Sequence, residues 1–215
     1  SRSGHCLAAA DERVVVIGGL DDPDDAPTEL EVLDLRDPTA WEAVAMQDLE
    51  TASVTGCAGN GLGQVLTAGT EDGAWGVIDL RSSAPTNRSF EPFDGQQAGL
   101  SGTMIQWLAE EQVFWVASGV STVGAVNRVA RTFDPVSMDT GIAAGLGVAR
   151  AHGEVLPYED LLLLHGGWAD GNRTTLLRSV ELLDPATGAG LVVDVPFARA
   201  RAVALHDGSV LFTGG

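Results

Sequence analysis

Short apolar runs that end in glycine recur along the chain at nearly constant spacing. The first is Val14–Gly19, and four later runs resemble it. The last glycine of each run, here called the marker glycine, lies at position 19, 69, 119, 167 or 215, so successive markers differ by 50, 50, 48 and 48 residues. Runs this short and rich in β-branched and leucine residues predict β-strands.

Other features keep the same register as the marker glycines. A turn-forming or acidic residue lies eight positions before each marker, at Asp11, Gly61, Glu111, Glu159 and Asp207. A polar loop follows the marker, and then an apolar run closes on an aspartate at Asp34, Asp79, Asp134 or Asp184. A fourth short run follows, as at 41–44 and 191–193. Each unit therefore predicts four strands joined by turns and one longer loop.

No stretch shows helical periodicity over the length that a helix needs. Four strands repeated with a period near 50 are typical of a β-propeller, in which neighbouring sheets cover each other's apolar faces. We therefore predict an all-β propeller of four-stranded antiparallel blades with about four and a half repeats. The predicted blades are 1–46, 47–97, 98–145, 146–194 and a partial 195–215, and we expect the chain to be a fragment of a larger propeller.

The repeat resembles the kelch repeat, with an Arg-x-Gly-His opening, a double glycine and an aspartate turn before a tryptophan. The first unit matches best, with Arg2, His5, Gly18-Gly19, Asp34 and Trp41. The fourth keeps Arg150, Gly166-Gly167 and Asp184; the fifth keeps Arg199 and Gly214-Gly215; the second and third keep single markers, Gly69 and Gly119. Kelch-type propellers include copper-radical oxidases resembling galactose oxidase, whose chemistry requires two tyrosines. Since Tyr158 is the sole tyrosine, we expect no catalysis by this chain alone.

The repeated residues have structural interpretations that we favour over chemical ones. Glycines at a strand end admit positive φ and close backbone approach, and no helix follows them to make a phosphate site. Asp34, Asp79, Asp134 and Asp184 could be mistaken for metal ligands, but each precedes a turn whose backbone N–H groups an aspartate can cap. Arg2, Arg150 and Arg199 could bind a ligand carboxylate, although pairing with an acid of the neighbouring blade is the favoured interpretation.

The loops after the markers differ most between units and are the candidates for binding. Four acids, Asp21, Asp22, Asp24 and Asp25, form a weak calcium candidate, but they lack the spacing of a dedicated loop, so a solvated turn is favoured. The loop with Trp168, Asp170, Asn172 and Arg173 combines aromatic, acidic, amide and guanidinium groups, a mixture found at protein or sugar contacts.

Composition narrows the function further. The chain carries 30 acidic against 12 basic residues, a net charge of −18, which argues against nucleic acid as a partner. No apolar run is long enough to insert into a membrane. The four histidines are scattered, so we expect no metal or other cofactor, and we predict that the two cysteines, Cys6 and Cys57, are free and buried because neighbouring first strands diverge too far for a disulfide.

We therefore expect a non-catalytic kelch-like propeller that binds a protein or glycan ligand, or the missing blades of the same protein. An extracellular or cell-envelope location is favoured. Two alternatives stay open: a scaffold domain of a larger enzyme whose catalytic part lies outside this chain, or a calcium-stabilised extracellular domain.

Overall fold

The chain folds into consecutive antiparallel β-sheets. The structure is a computed structural model and describes residues 3–20, 29–37, 39, 41–45, 54, 56–68, 75–81, 86–90, 101–121, 123–198 and 200–214. Within these ranges every regular element is a strand. The sequence prediction of an all-β fold is confirmed.

Eighteen strands form five sheets in the described ranges, and each sheet is a meander of strands that follow one another in sequence. The first sheet contains β1 (Ser3–Ala10), β2 (Arg13–Leu20), β3 (Glu29–Asp34) and β4 (Trp41–Ala45). The second contains β5 (Gly56–Gly59), β6 (Gln64–Ala68), β7 (Trp75–Asp79) and β8 (Thr86–Phe90). The third contains β9 (Met104–Leu108), β10 (Val113–Ala117), β11 (Ala130–Phe133) and β12 (Thr140–Ala143). The fourth contains β13 (Glu154–Tyr158), β14 (Leu161–His165), β15 (Ser179–Leu183) and β16 (Gly190–Asp194). The fifth contains β17 (Arg201–Ala204) and β18 (Val210–Thr213).

In each four-stranded sheet, an aspartate that ends the third strand or directly follows it caps the next turn. In every case Oδ1 accepts a hydrogen bond from the backbone N–H two residues later. The distances are 2.9 Å from Asp34 to Arg36, 3.0 Å from Asp79 to Arg81, 2.8 Å from Asp134 to Val136 and 2.8 Å from Asp184 to Ala186. These carboxylates therefore close turns at separate places around the fold and do not converge on a common ligand.

Apolar side chains fill the spaces between the first four sheets. Val15 and Ile17 of the first sheet pack with Val65 and Ile78 of the second. The second and third sheets share a cluster that includes Trp75 and Phe114. The third and fourth share Met104, Trp115, Leu162 and Leu164. Alternation along each strand sends successive side chains to opposite faces, so one sheet contributes to two clusters.

The first strands of all five sheets lie side by side and line a central cavity of about 430 Å³. On each first strand, one residue lies at an equivalent position of the repeat. Its β-sheet partner on the second strand is the residue two positions before the marker glycine. These side chains are Cys6, Cys57, Met104, Glu154 and Arg201, paired with Ile17, Thr67, Ala117, His165 and Thr213. Equivalent positions of the repeat thus line the same cavity.

The sequence prediction of two free cysteines is wrong. Cys6 and Cys57 form a disulfide, with a Cα–Cα distance of 6.0 Å. The prediction assumed that neighbouring first strands diverge beyond disulfide reach. They instead converge towards the central cavity, which brings equivalent positions within the range a disulfide allows. The bond joins the first and second sheets.

Candidate functional site

A cleft of about 310 Å³ opens beside the central cavity, where the third, fourth and fifth sheets meet. Gly102 and Thr103 contribute from the entry to the third sheet, and Arg201 contributes from the fifth. The fourth sheet supplies His152, Glu154, His165 and Trp168 at the start of β13 and the end of β14. These titratable and aromatic side chains, gathered in one concave place, make the cleft the candidate site.

The β13–β14 hairpin places Glu154 directly opposite His165. Tyr158 pairs with Leu161 across a two-residue turn, and counting back along both strands pairs Glu154 with His165. Glu154 Oε2 lies 3.0 Å from His165 Nε2. This pair was not predicted, because the four histidines are scattered along the sequence. The hairpin register, readable from the turn at Glu159, was the available signal.

Glu154 also links the fourth sheet to the fifth. Its Oε1 accepts a hydrogen bond from the Arg201 guanidinium, and its Oε2 accepts one from the backbone N–H of Ala202 at 3.4 Å. Partial burial raises the pKa of Glu154, but the hydrogen bond with His165 and the charge of Arg201 outweigh this and hold it below the ordinary value. The carboxylate is therefore kept ionised as a bridge between two sheets.

His152 and Arg173 form a second contact of the cleft. An Arg173 guanidinium N–H lies 3.1 Å from His152 Nε2. The imidazole occupies the space that a side chain at position 102 would need, since a Cβ on Gly102 would lie 2.6 Å from the ring. Burial lowers the pKa of His152, and the charge of Arg173 lowers it further. The imidazole therefore stays neutral and accepts from Arg173.

The loop predicted to contact a partner, 168–173, borders this cleft and overlaps the loop 169–175 described below. Trp168 lines the cleft, and its backbone exchanges hydrogen bonds of 2.8 and 2.9 Å with Ala151. Asp170 accepts from the backbone N–H groups of Thr174 and Thr175 at 3.0 and 2.6 Å, and these bonds lower its pKa to about 2. Asn172 and Arg173 are exposed. Trp168 thus lines the cleft and Arg173 contacts His152 of its wall, whereas the Asp170 carboxylate is used inside its own loop.

Arg150 is fully buried, and its guanidinium is used inside the fold. It donates to Glu181 Oε2 at 3.3 Å and to the carbonyl of Gly166 at 3.0 Å. Burial lowers the pKa of Arg150, and the charge of Glu181 opposes this shift. The expectation of an acid from the neighbouring blade is wrong, because Glu181 lies on β15 of the same repeat. Burial removes Arg150 from the surface that a partner could contact.

The double glycine of the fourth repeat lies at the wall of the cleft. Gly166 and Gly167 have φ of 60° and 88°. A Cβ on Gly167 would lie 2.7 Å from the carbonyl oxygen of Ala151. The second glycine is therefore required by backbone crowding, the structural role that the sequence indicated. Gly18, Gly119 and Gly214 also have positive φ.

Several predicted positions lie outside the described residues. These are Arg2, Arg199, Gly69, Gly215 and the calcium candidates Asp21, Asp22, Asp24 and Asp25. Across the ranges that are described, no group of three or more His, Cys, Asp and Glu side chains is placed to hold a metal ion. No helix able to cross a membrane is found in the described part of the chain.

The fold defines the class of protein to which the chain is similar: all-β proteins built from successive antiparallel sheets. A fungal alcohol oxidase of the AA5 family, solved in complex with copper, matches 100% of this chain at 18% identity and a TM-score of 0.72. The protein YjhT matches 89% of this chain at 13% identity and a TM-score of 0.68. At these identities the likeness extends to the fold alone.

The chain covers 49% of the alcohol oxidase and 69% of YjhT. It therefore spans about half the length of the first of these structures. No protein-family model matches the sequence. No curated protein matches it either.

Proposed function

We propose that the chain is part of a kelch-type β-propeller that binds the end of a glycan in the cleft, without catalysing a reaction. The supporting observation is that His152, Glu154 and Trp168 line one concave cleft, with Arg173 bonded to His152 from outside the lining. Sugars offer hydroxyl groups that pair with such mixed donors and acceptors, and their apolar ring faces pack on aromatic side chains.

The size of the cleft favours a small ligand over a flat protein surface. Its volume of about 310 Å³ lies at the lower end of the range for small-molecule pockets. One or two sugar rings at the end of a glycan are an appropriate occupant. In a chain with a net charge of −18, Arg201 in the cleft and Arg173 beside His152 provide positively charged hydrogen-bond donors for sugar hydroxyl groups.

The disulfide supports an extracellular or cell-envelope location. Bonds of this kind persist in oxidising compartments and are rare in reducing ones. A second candidate function, a scaffold domain of a larger enzyme, is favoured by the fact that the chain spans only 49% of the alcohol oxidase that resembles it.

Glycan-array screening followed by calorimetry at pH 7.5 tests the glycan proposal. Trp168→Ala should weaken binding of the glycans retained by the wild type by ~10-fold or more, as expected for loss of an aromatic anchor. Trp41→Ala is the matched control, because Trp41 is 52% exposed on the outer strand of the first sheet, far along the sequence from the cleft. Absence of any glycan binding, or equal affinity in the two variants, would overturn the proposal.

A further inference from the structure

The contact between Arg173 and His152 exists in only one protonation state of the imidazole. Arginine carries hydrogen-bond donors and no acceptor, so His152 Nε2, 3.1 Å away, must offer a lone pair. A proton on Nε2 would remove the hydrogen bond and place two positive charges side by side. The geometry thus couples the position of Arg173 to the charge of His152.

Arg173 belongs to a loop that is closed by its own hydrogen bonds, including one from Ala169 N–H to the carbonyl of Thr175 at 2.9 Å. Asp170 ties both ends of the turn through Thr174 and Thr175. Gly171 lies close to the carbonyl of Gly124, in the connection between β10 and β11, so that a Cβ at position 171 would clash with this oxygen. Arg173 itself has a positive φ of 57°, a conformation that non-glycine residues adopt only where their surroundings hold them. Loss of the His152 contact removes one of the interactions that hold the loop beside the cleft.

The groups that surround His152 come from the third, fourth and fifth sheets and from the loop itself. The third sheet faces the ring with Gly102 and Thr103, which carry no charge. On the fourth sheet, His165 is a second titratable imidazole of the cleft, and it is bonded to Glu154, which also pairs with Arg201 of the fifth sheet. Within the loop, Asp170 has a pKa of about 2 and stays ionised in mild acid.

We propose that ligand affinity at the cleft, on the function proposed above, is controlled by protonation of His152, which releases Arg173 and loop 169–175. Affinity is then retained at neutral pH and lost on acidification. Because burial and Arg173 hold the pKa of His152 below its ordinary value of 6.5, the loss occurs as pH falls below that value. A module that captures a glycan at neutral pH would thus release it in an acidified compartment.

NMR titration of the intact chain between pH 7.5 and pH 4.5 tests the coupling without any ligand. In the wild type, the backbone amides of 169–175 should titrate with the same midpoint as the His152 ring. His152→Gln should abolish this transition, because glutamine can accept from Arg173 but does not titrate near neutral pH. His206→Gln, which removes an exposed histidine between β17 and β18, is the control and should leave the loop transition unchanged.

Loop amides that stay constant through the His152 midpoint, or that titrate unchanged in His152→Gln, would overturn the proposal. Calorimetry with a retained glycan gives the functional readout. The wild type should bind ~10-fold more weakly at pH 5 than at pH 7.5, within the usual range of coupling between sites, and the ratio should approach one in His152→Gln. A loop transition without any glycan binding would refute the proposed function and leave the coupling intact.

Discussion

The third and fourth sheets meet through a buried apolar cluster, whereas the fourth and fifth meet mainly through polar contacts. Trp115 and Leu164 at the former junction are fully buried. At the latter, Glu154 bridges to Arg201, the Tyr158 hydroxyl donates to the carbonyl of Gly208 at 2.8 Å, and Phe212 stands edge-on to His165. In the described residues, the three apolar clusters all lie between the first four sheets.

This difference arises within one repeating architecture. The first-strand position that lines the cavity is a cysteine in the first and second sheets, and these two cysteines form the disulfide. In the fourth and fifth sheets the same position is Glu154 and Arg201, which form an ion pair. Covalent and apolar junctions hold their geometry, while partly exposed polar ones open at lower free energy. The cleft lies at the polar junction, so the candidate site occupies the part of the fold that local changes can affect most easily.

Breaking the apolar junction should have the largest effect. Trp115→Ala removes a fully buried ring between the third and fourth sheets. We expect a loss of about 3–5 kcal/mol in the free energy of unfolding, measured by chemical denaturation. Trp41→Ala, at an exposed tryptophan, should change it by no more than ~0.5 kcal/mol. A similar loss of unfolding free energy in both variants would show that the apolar cluster around Trp115 does not stabilise the fold more than an exposed tryptophan does.

Removing the covalent link should have an intermediate effect. The double variant Cys6→Ser with Cys57→Ser opens a link between residues separated by 51 positions. We expect a loss of about 2–4 kcal/mol in unfolding free energy, because the unfolded chain gains conformational freedom. The reduced wild type should match the double variant, which itself should not respond to reductant. A wild type whose stability is the same with and without reductant would contradict this prediction.

Weakening the polar junction should have the smallest effect, and a local one. Glu154→Gln removes the charge that holds Arg201, and we expect about 1 kcal/mol less protection against hydrogen exchange in β17 and β18. Protection in β10 should stay unchanged. Glu159→Gln, an exposed acid in the turn of the same hairpin, is the matched control. Equal loss of protection in all five sheets would show that the junction is not a separate unit.

The same junction should respond to acid. The pKa of Glu154 is lower in the folded chain than its ordinary value of 4.5, so the folded state binds this proton less readily than the unfolded state. The stabilisation of the folded state by the Glu154 carboxylate is therefore fully present above pH 4.5, and it is lost as pH falls through the pKa of Glu154 in the folded chain. In Glu154→Gln this part of the pH dependence of protection in β17 and β18 should disappear.

Much of the fold could be predicted from the sequence because its signals are local. Strand runs, marker glycines and aspartate turns depend on backbone geometry within a few residues, and a constant period shows that the units are equivalent. Less of the candidate site was predicted. Trp168 and Arg173 were proposed as contact residues from the mixture of side chains in their loop, and this stays a prediction. His152, Glu154, His165 and Arg201 were not proposed, although the hairpin register pairs Glu154 with His165.

The sequence by itself determined the all-β architecture, the order of the strands and the turn-capping residues, since each follows from spacing and local conformational preference. Only the tertiary structure decided which side chains of different repeats meet. The convergence of the first strands on the central cavity joined Cys6 to Cys57 and Glu154 to Arg201. Such contacts depend on distances between strands about 50 residues apart, and these distances are set by the packing of whole sheets.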